Sequence, residues 1–161
     1  MNQKLAFGLT VATSRIHGKG CFAIIPFHEN QQIAEYLGER ISVTEAARRR
    51  RAAGEKCICD VDAQWAIDGS RSGNGTQYVN HSCQPNSYVI VSQGRIFLYA
   101  LGEIAPGEEI TTDYLYELRL EQTKCFCGSS SCARRDLPGP IMTKESTDHP
   151  RKKEGAEIGP M

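Results

Sequence analysis

The chain has 161 residues, 40% of them hydrophobic and 24% charged, which suits one soluble domain around a single core. Its 19 basic and 19 acidic residues cancel, so the overall charge offers no footprint for nucleic acid, whose phosphates call for a basic excess. No stretch approaches the ~18 apolar residues of a membrane span, and Met1–Thr10 makes a poor signal peptide. An intracellular protein without membrane or direct nucleic-acid partners is therefore expected, cytoplasmic in a bacterium or nuclear in a eukaryote.

Fifteen glycines and seven prolines point to short strands and many turns. In chain order, strands are expected at Leu5–Thr13, at Cys21–Ile25 ahead of Pro26, and at Gln32–Leu37 ahead of Gly38. Ser42–Ala53 is the one convincing helix: Ser42 and Glu45 have capping-box spacing and Gly54 supplies a stop. Its Arg48–Arg51 run lies where cations complement the helix dipole and reads as a solvated face, with a docking patch as the other reading. Strands at Cys57–Val61 and Gln64–Ile67 follow, then a Gly- and Asn-rich stretch. Ser87–Ser92 and Arg95–Leu101 flank Gln93-Gly94 as a hairpin, and Ile110–Thr112 runs into Asp113-Tyr114. From Asp136 onward, mixed charges and prolines without apolar periodicity suggest a disordered tail.

Seven cysteines, an odd number, suit a closed disulfide framework poorly. Cys125, Cys127 and Cys132 have the spacing C-x-C-x4-C, and Gly128 lets the backbone fold round one ion. A closed zinc site wants four ligands. Cys83, in a loop-like setting beside Ser82 and Pro85, is the best candidate for the fourth. A redox pair would usually read C-x-x-C, so thiol redox chemistry at Cys125 and Cys127 is disfavoured. Cys57 and Cys59 would face one side of a strand as half-buried thiols, and Cys21 would be packed.

The stretch Asn80-His81-Ser82-Cys83-Gln84-Pro85-Asn86 resembles the N-H-S-C-x-P-N signature of SET-domain protein-lysine methyltransferases, with trithorax-like motifs. Other family-like segments stand in family order: His17-Gly18-Lys19-Gly20, Glu35-Tyr36-Leu37-Gly38-Glu39, Ile67-Asp68, Gly73-Asn74, and Gly107 to Tyr114. The C-x-C-x4-C cluster resembles the post-SET zinc motif. The resemblance implies a mainly β fold of small curled sheets with a C-terminal pseudoknot, one short helix and a zinc loop. It divides the chain into a SET domain at 5–118, a post-SET segment at 121–137 and a tail at 138–161.

The resemblance further implies S-adenosylmethionine as cofactor, one structural zinc ion, and a protein or peptide substrate carrying lysine. Tyr114 would be catalytic, in an orienting and electrostatic role first, because a phenol with pKa ~10 is a poor base at neutral pH. The cofactor would lie on His17, Gly18, Lys19, Gly20, Asn80, His81 and Phe126, and the zinc on Cys83, Cys125, Cys127 and Cys132. Tyr36, Tyr78, Thr112 and Tyr116 would line the substrate channel. Thr112 stands where the family usually has an aromatic, Cys57 where many members have a tyrosine, and Thr76-Gln77-Tyr78 replaces A-R-F. These departures imply a roomier pocket and methylation beyond the first step. They also motivate a second reading, a catalytically weak zinc-containing module that binds a protein partner. The sequence carries no signal of oligomeric state, and its brevity suggests a stand-alone protein.

Overall fold

The computed structural model describes residues 5–53, 57–114, 125–130 and 132. Among these residues, ten short strands form three small sheets, with one α-helix. The fold is mainly β, as the sequence predicts. β1 (Leu9–Thr13) and β2 (Lys19–Ala23) form a hairpin. Ser14 N–H donates to Gly18 O at 2.9 Å across its turn, and Gly18 takes a left-handed φ of 48° that favours glycine. β2 pairs antiparallel with β10 (Glu109–Thr112), and β10 pairs in parallel with β7 (Asn80–His81), giving the order β1-β2-β10-β7.

A parallel pair cannot be joined by a tight turn. The connection between β7 and β10 contains a complete hairpin, β8 (Ser87–Ser92) and β9 (Arg95–Ala100), which pairs with β3 (Gln32–Glu35) as the second sheet. Its two-residue loop is the expected Gln93-Gly94, with φ of 51° and 72°, the left-handed pair such a loop needs. The third sheet has the order β4-β6-β5, from β4 (Glu39–Ser42), β6 (Trp65–Asp68) and β5 (Ile58–Asp60). Observed strands depart from the expected bounds by a few residues. β4 and a 3₁₀ turn at Thr76–Tyr78 are additions that local pattern did not suggest.

Helix α1 (Val43–Ala53) begins where the capping box predicts: Glu45 N–H donates to Ser42 Oγ at 3.2 Å. The reciprocal half of the box is replaced, because the Glu45 carboxylate accepts instead from Arg48 (2.7 Å) and Arg49 (2.8 Å). The arginine run is only partly a solvated face. Arg49 reaches across to Glu39 (2.7 Å) and to buried Asp68 (2.6 Å), while Arg50 bonds Asp60 at 3.0 Å and Ile58 O at 2.9 Å. These arginines fasten the helix to its sheet over a small core of Ile41, Ala46, Ile58 and Ala66.

The main core joins the first two sheets through Leu9, Cys21, Phe27, Ile33, Leu98 and Ile110. Ile110 and Cys21 are fully buried opposite one another on β10 and β2, and full burial of a side chain such as Ile110 stabilises by about 2 kcal/mol. Burial pushes the Cys21 thiol up to about 12, with Glu109 adding to it, so it packs as a small apolar group. The strand β10, which leads to Tyr114, is thereby anchored from below. Among the described residues no helix is long and apolar enough to cross a membrane. The expected pseudoknot and channel residue Tyr116 involve the stretch after Tyr114, outside the described residues, and so does the expected tail at 138–161.

Candidate active site and metal centre

The β7–β10 pair sets the site. Thr111 lies opposite Asn80 and Thr112 opposite His81, and Ser82 N–H extends the ladder to Thr112 O at 3.0 Å. Beyond β7, in the loop before β8, Asn86 substitutes its side-chain amide for a neighbouring peptide: it donates to Glu109 O (2.9 Å) and accepts from Thr111 N–H (2.8 Å). Ser87 Oγ donates to Thr111 O at 2.8 Å. Residues 80–87 thus wrap β10 and deliver Asp113-Tyr114 beside His81.

Tyr114 is held at both ends. Its backbone N–H donates to His81 Nδ1 at 3.1 Å, and its hydroxyl donates to Val79 O at 2.5 Å. The two rings lie 5.5 Å apart at 53°. A nitrogen that accepts from an N–H carries no proton, so this geometry assigns the neutral ring's proton to Nε2, which faces Cys83 Sγ at 3.3 Å, while Asp113 Oδ1 lies 3.5 Å from Nδ1. Tyr36 is buried nearby and donates to Cys57 O at 2.6 Å. Burial pushes its phenol far up, and Cys59, Cys57 and Tyr114 add to this, so it stays neutral.

Asn80 Nδ2 reaches the glycine-rich segment, donating to Lys19 O at 3.0 Å and His17 O at 3.3 Å, and also to Glu109 Oε1 at 2.7 Å. A β-carbon on Gly20 would meet the Glu109 carboxylate, which would then have to shift. Lys19 extends its ammonium over the Tyr78 ring at 5.2 Å, beside an open cleft of about 410 Å³ that both residues line with Leu5 and Val11. Tyr78 therefore stands on the Lys19 side. Thr112 is buried on β10.

The thiols of Cys83, Cys125, Cys127 and Cys132 converge, all four sulfurs lying within 4.8 Å of one another. Cys83 Sγ is 3.9 Å from that of Cys125 and 3.6 Å from that of Cys132. Four sulfurs at ~2.3 Å from one tetrahedral zinc ion lie about 3.8 Å apart, so the group fits. Burial, with the neighbouring thiols, pushes Cys83 well up and raises Cys125 to about 11. Burial acts upward most strongly on Cys127 too, but backbone hydrogen bonds from Cys83 and Ser129, with those of the Cys125 and Cys132 thiols, together lower it to about 7. The set can hold a metal ion, whose charge would let all four ionise together. Phe126, between two of them, is 67% exposed.

A model of the SET domain matches residues 18–115, well over half the chain. The chain belongs to the SET-domain family. It is 36% identical over 130 residues to histone-lysine N-methyltransferase set-2 of Caenorhabditis elegans, an alignment covering 75% of this chain and 9% of that protein. It is 35% identical over 139 residues to the human histone-lysine N-methyltransferase SETD1A (81% of this chain, 8% of that protein). Histone-lysine N-methyltransferase trithorax of Drosophila virilis is 33% identical over 132 residues (77% and 3%). The chain thus spans less than a tenth of the length of these relatives.

Within this SET domain, hydrogen bonds and sulfur contacts join Tyr114, His81, Asn80, the backbone of His17 and Lys19, and the cysteine group, while Tyr78, expected in the channel, meets Lys19. The sequence reading missed Glu109, Asn86 and Ser14. Glu109 and Asn86 stand inside the matched motifs, and nothing local marks their side chains as partners of β7 and β10.

Proposed function

We propose that this SET domain transfers a methyl group from S-adenosylmethionine to the side-chain amine of lysine in a protein substrate, a histone or another basic protein. One observation carries the reading: Tyr114 N–H bonds the side chain of His81, the neighbour of Asn80, so the two motifs that the family resemblance assigns to catalysis and to the cofactor share a hydrogen bond. Bound S-adenosylmethionine would supply an electrophilic methyl on a sulfonium. The chain has to hold that group, present a neutral amine in line with it, and keep water out.

Asn80, His81 and the segment His17, Gly18, Lys19, Gly20 would bind the cofactor, with the Lys19 ammonium available to a carboxylate. Phe126 offers a ring for the flat face of a nucleobase. Tyr114 donates its own proton to Val79 O, and its hydroxyl oxygen would orient the incoming amine as an acceptor. Tyr36, Tyr78, Thr112 and Tyr116 would line the substrate channel. Cys83, Cys125, Cys127 and Cys132 would hold one structural zinc ion that fixes the Phe126 segment against the Asn80-His81 turn. Half-buried Cys57 and small Thr112, in place of family aromatics, leave room for an amine that already carries a methyl group.

Incubating the metal-loaded protein with tritiated cofactor and histones or ribosomal proteins in parallel tests this. Lysine labelling is expected, about 100-fold or more weaker in Tyr114→Phe, the scale of one lost electrostatic hydrogen-bonding group at the reacting centre. Mass spectrometry of the same product should show di- or trimethyl-lysine. Equal labelling by both proteins removes Tyr114 from the reaction. No labelling by either, with cofactor bound, favours the partner-binding module, and monomethyl-lysine alone at long incubation removes the roomy pocket.

A further inference from the structure

Hydrogen-bond acceptors crowd the Asn80 side of the site. The two N–H bonds of Asn80 Nδ2 are shared among Glu109 Oε1 (2.7 Å), Lys19 O (3.0 Å) and His17 O (3.3 Å). Ser14 Oγ donates to both Glu109 oxygens, at 2.7 and 2.9 Å. Glu109 is half-buried, and among the described residues no cation pairs with it. An ionised carboxylate only accepts, so it admits the NH₂ end of the Asn80 amide and repels the oxygen end. Asn80 Oδ1 is therefore turned away from Glu109, and no donor among the described residues reaches it.

The result is an amide fixed in one orientation: two backbone carbonyls and one negative charge hold its NH₂ end, and its oxygen faces the other way, with no cation among the described residues beside the carboxylate. A partly buried charge of this kind calls for a counter-charge, and one that also donates several N–H bonds suits this geometry. S-adenosylmethionine carries two cationic centres, and only its α-ammonium can donate hydrogen bonds.

We propose that Glu109 is a positioning residue for the cofactor. It locks the Asn80 amide so that Oδ1 is presented to the α-ammonium, and its charge favours that ammonium over a neutral ligand. The inference rests on the cofactor reading given above. Glu109 does not touch the reacting atoms; it acts through Asn80.

Calorimetric titration of the full, metal-loaded chain with two probes tests it. One is S-adenosylhomocysteine; the other is the same molecule with hydrogen in place of the α-amino group. The wild type should prefer the amino form. Glu109→Gln, which can turn an NH₂ toward Asn80 and so flip its amide, should weaken S-adenosylhomocysteine about ten- to a hundredfold, the range of a charge-assisted hydrogen bond. The same change should leave the deamino analogue within about twofold. Ser14→Ala, which frees the carboxylate without removing it, should shift the same preference less and serves if Glu109→Gln does not fold. In turnover, the KM for the cofactor should rise while kcat at saturating cofactor holds. Equal weakening of both probes would mean that Glu109 only supports the fold, and no weakening of either would remove it from binding. A wild type that binds S-adenosylhomocysteine without preferring it to the deamino analogue overturns this inference alone. A wild type that binds neither overturns the cofactor reading with it.

Discussion

Asn80 and His81 lie on a strand whose neighbours are backbone groups of β10, backed by Ile110 in the core. Phe126 lies on a segment tied down, among the described residues, by a Cys132–Ser129 turn at 3.3 Å, a Ser129–Gln84 hydrogen bond at 2.8 Å, and contacts among thiols. The first half of the site takes its shape from the hydrophobic core and a hydrogen-bond ladder. The second takes it from sulfur atoms that fit around a cation. A cofactor held between the halves would depend on an ion that the strand half does not need to fold. The largest expected effect follows. Cys127→Ser should drop metal content from one ion per chain toward none, because a closed tetrahedral site loses one of its four ligands. Cofactor affinity should fall about tenfold or more, ~1.4 kcal/mol, while circular dichroism and the urea midpoint of the strand core change little. Metal retained at one ion per chain would show that the thiols are not the metal site. Loss of the strand signal would show that the halves fold as one.

His81 joins the halves, since Nδ1 accepts from Tyr114 N–H and Nε2 faces Cys83 Sγ. Outer partners of metal ligands typically change metal affinity ten- to a hundredfold. His81→Asn keeps a polar atom near the Nδ1 position, and His81→Gln keeps one near Nε2. The asparagine variant should lose metal affinity by roughly ten- to a hundredfold yet keep methyl transfer per metal-loaded molecule. The glutamine variant should hold the metal and lose transfer. If both variants lose both properties equally, the imidazole is a packing element rather than a two-ended link.

Much of this was legible in the sequence because it is written in short spacings. The Gln93-Gly94 loop, the Ser42 cap and the C-x-C-x4-C thiols each need only a few adjacent residues to declare themselves. Cys83 was recoverable because three thiols left one ligand wanting and the motif around Cys83 resembles the family's. Glu109 was not, since its role depends on β10 lying between β2 and β7, which brings it to Ser14, 95 residues away, and to Asn80, 29 residues away. The arginine run misled for a similar reason. A helix face looks solvated until a sheet with Asp68 and Glu39 is packed beneath it.

The smallest expected effect marks where the comparison stops, on the third sheet and its helix. Hydrogen bonds from Arg48 and then Arg49 lower the Glu45 carboxyl to about 2, from an ordinary value of 4.5. A carboxyl lowered in the folded state contributes stability that is present above its unfolded value and is lost as pH falls through its folded value. The contribution should therefore be complete above about pH 4.5 and fade toward pH 2. Glu45→Gln preserves the residue's size at its capping-box position and removes the charge. Urea unfolding across that range should find wild type and variant alike near pH 2, with the wild type modestly ahead at neutral pH, because exposed ion pairs contribute little. Metal content and cofactor affinity at neutral pH should not change, since Glu45 contacts neither β7 nor the thiols. A variant that loses metal would mean that the helix and its sheet are coupled to the sulfur cluster, and the two-part division of the site would then have to include a third.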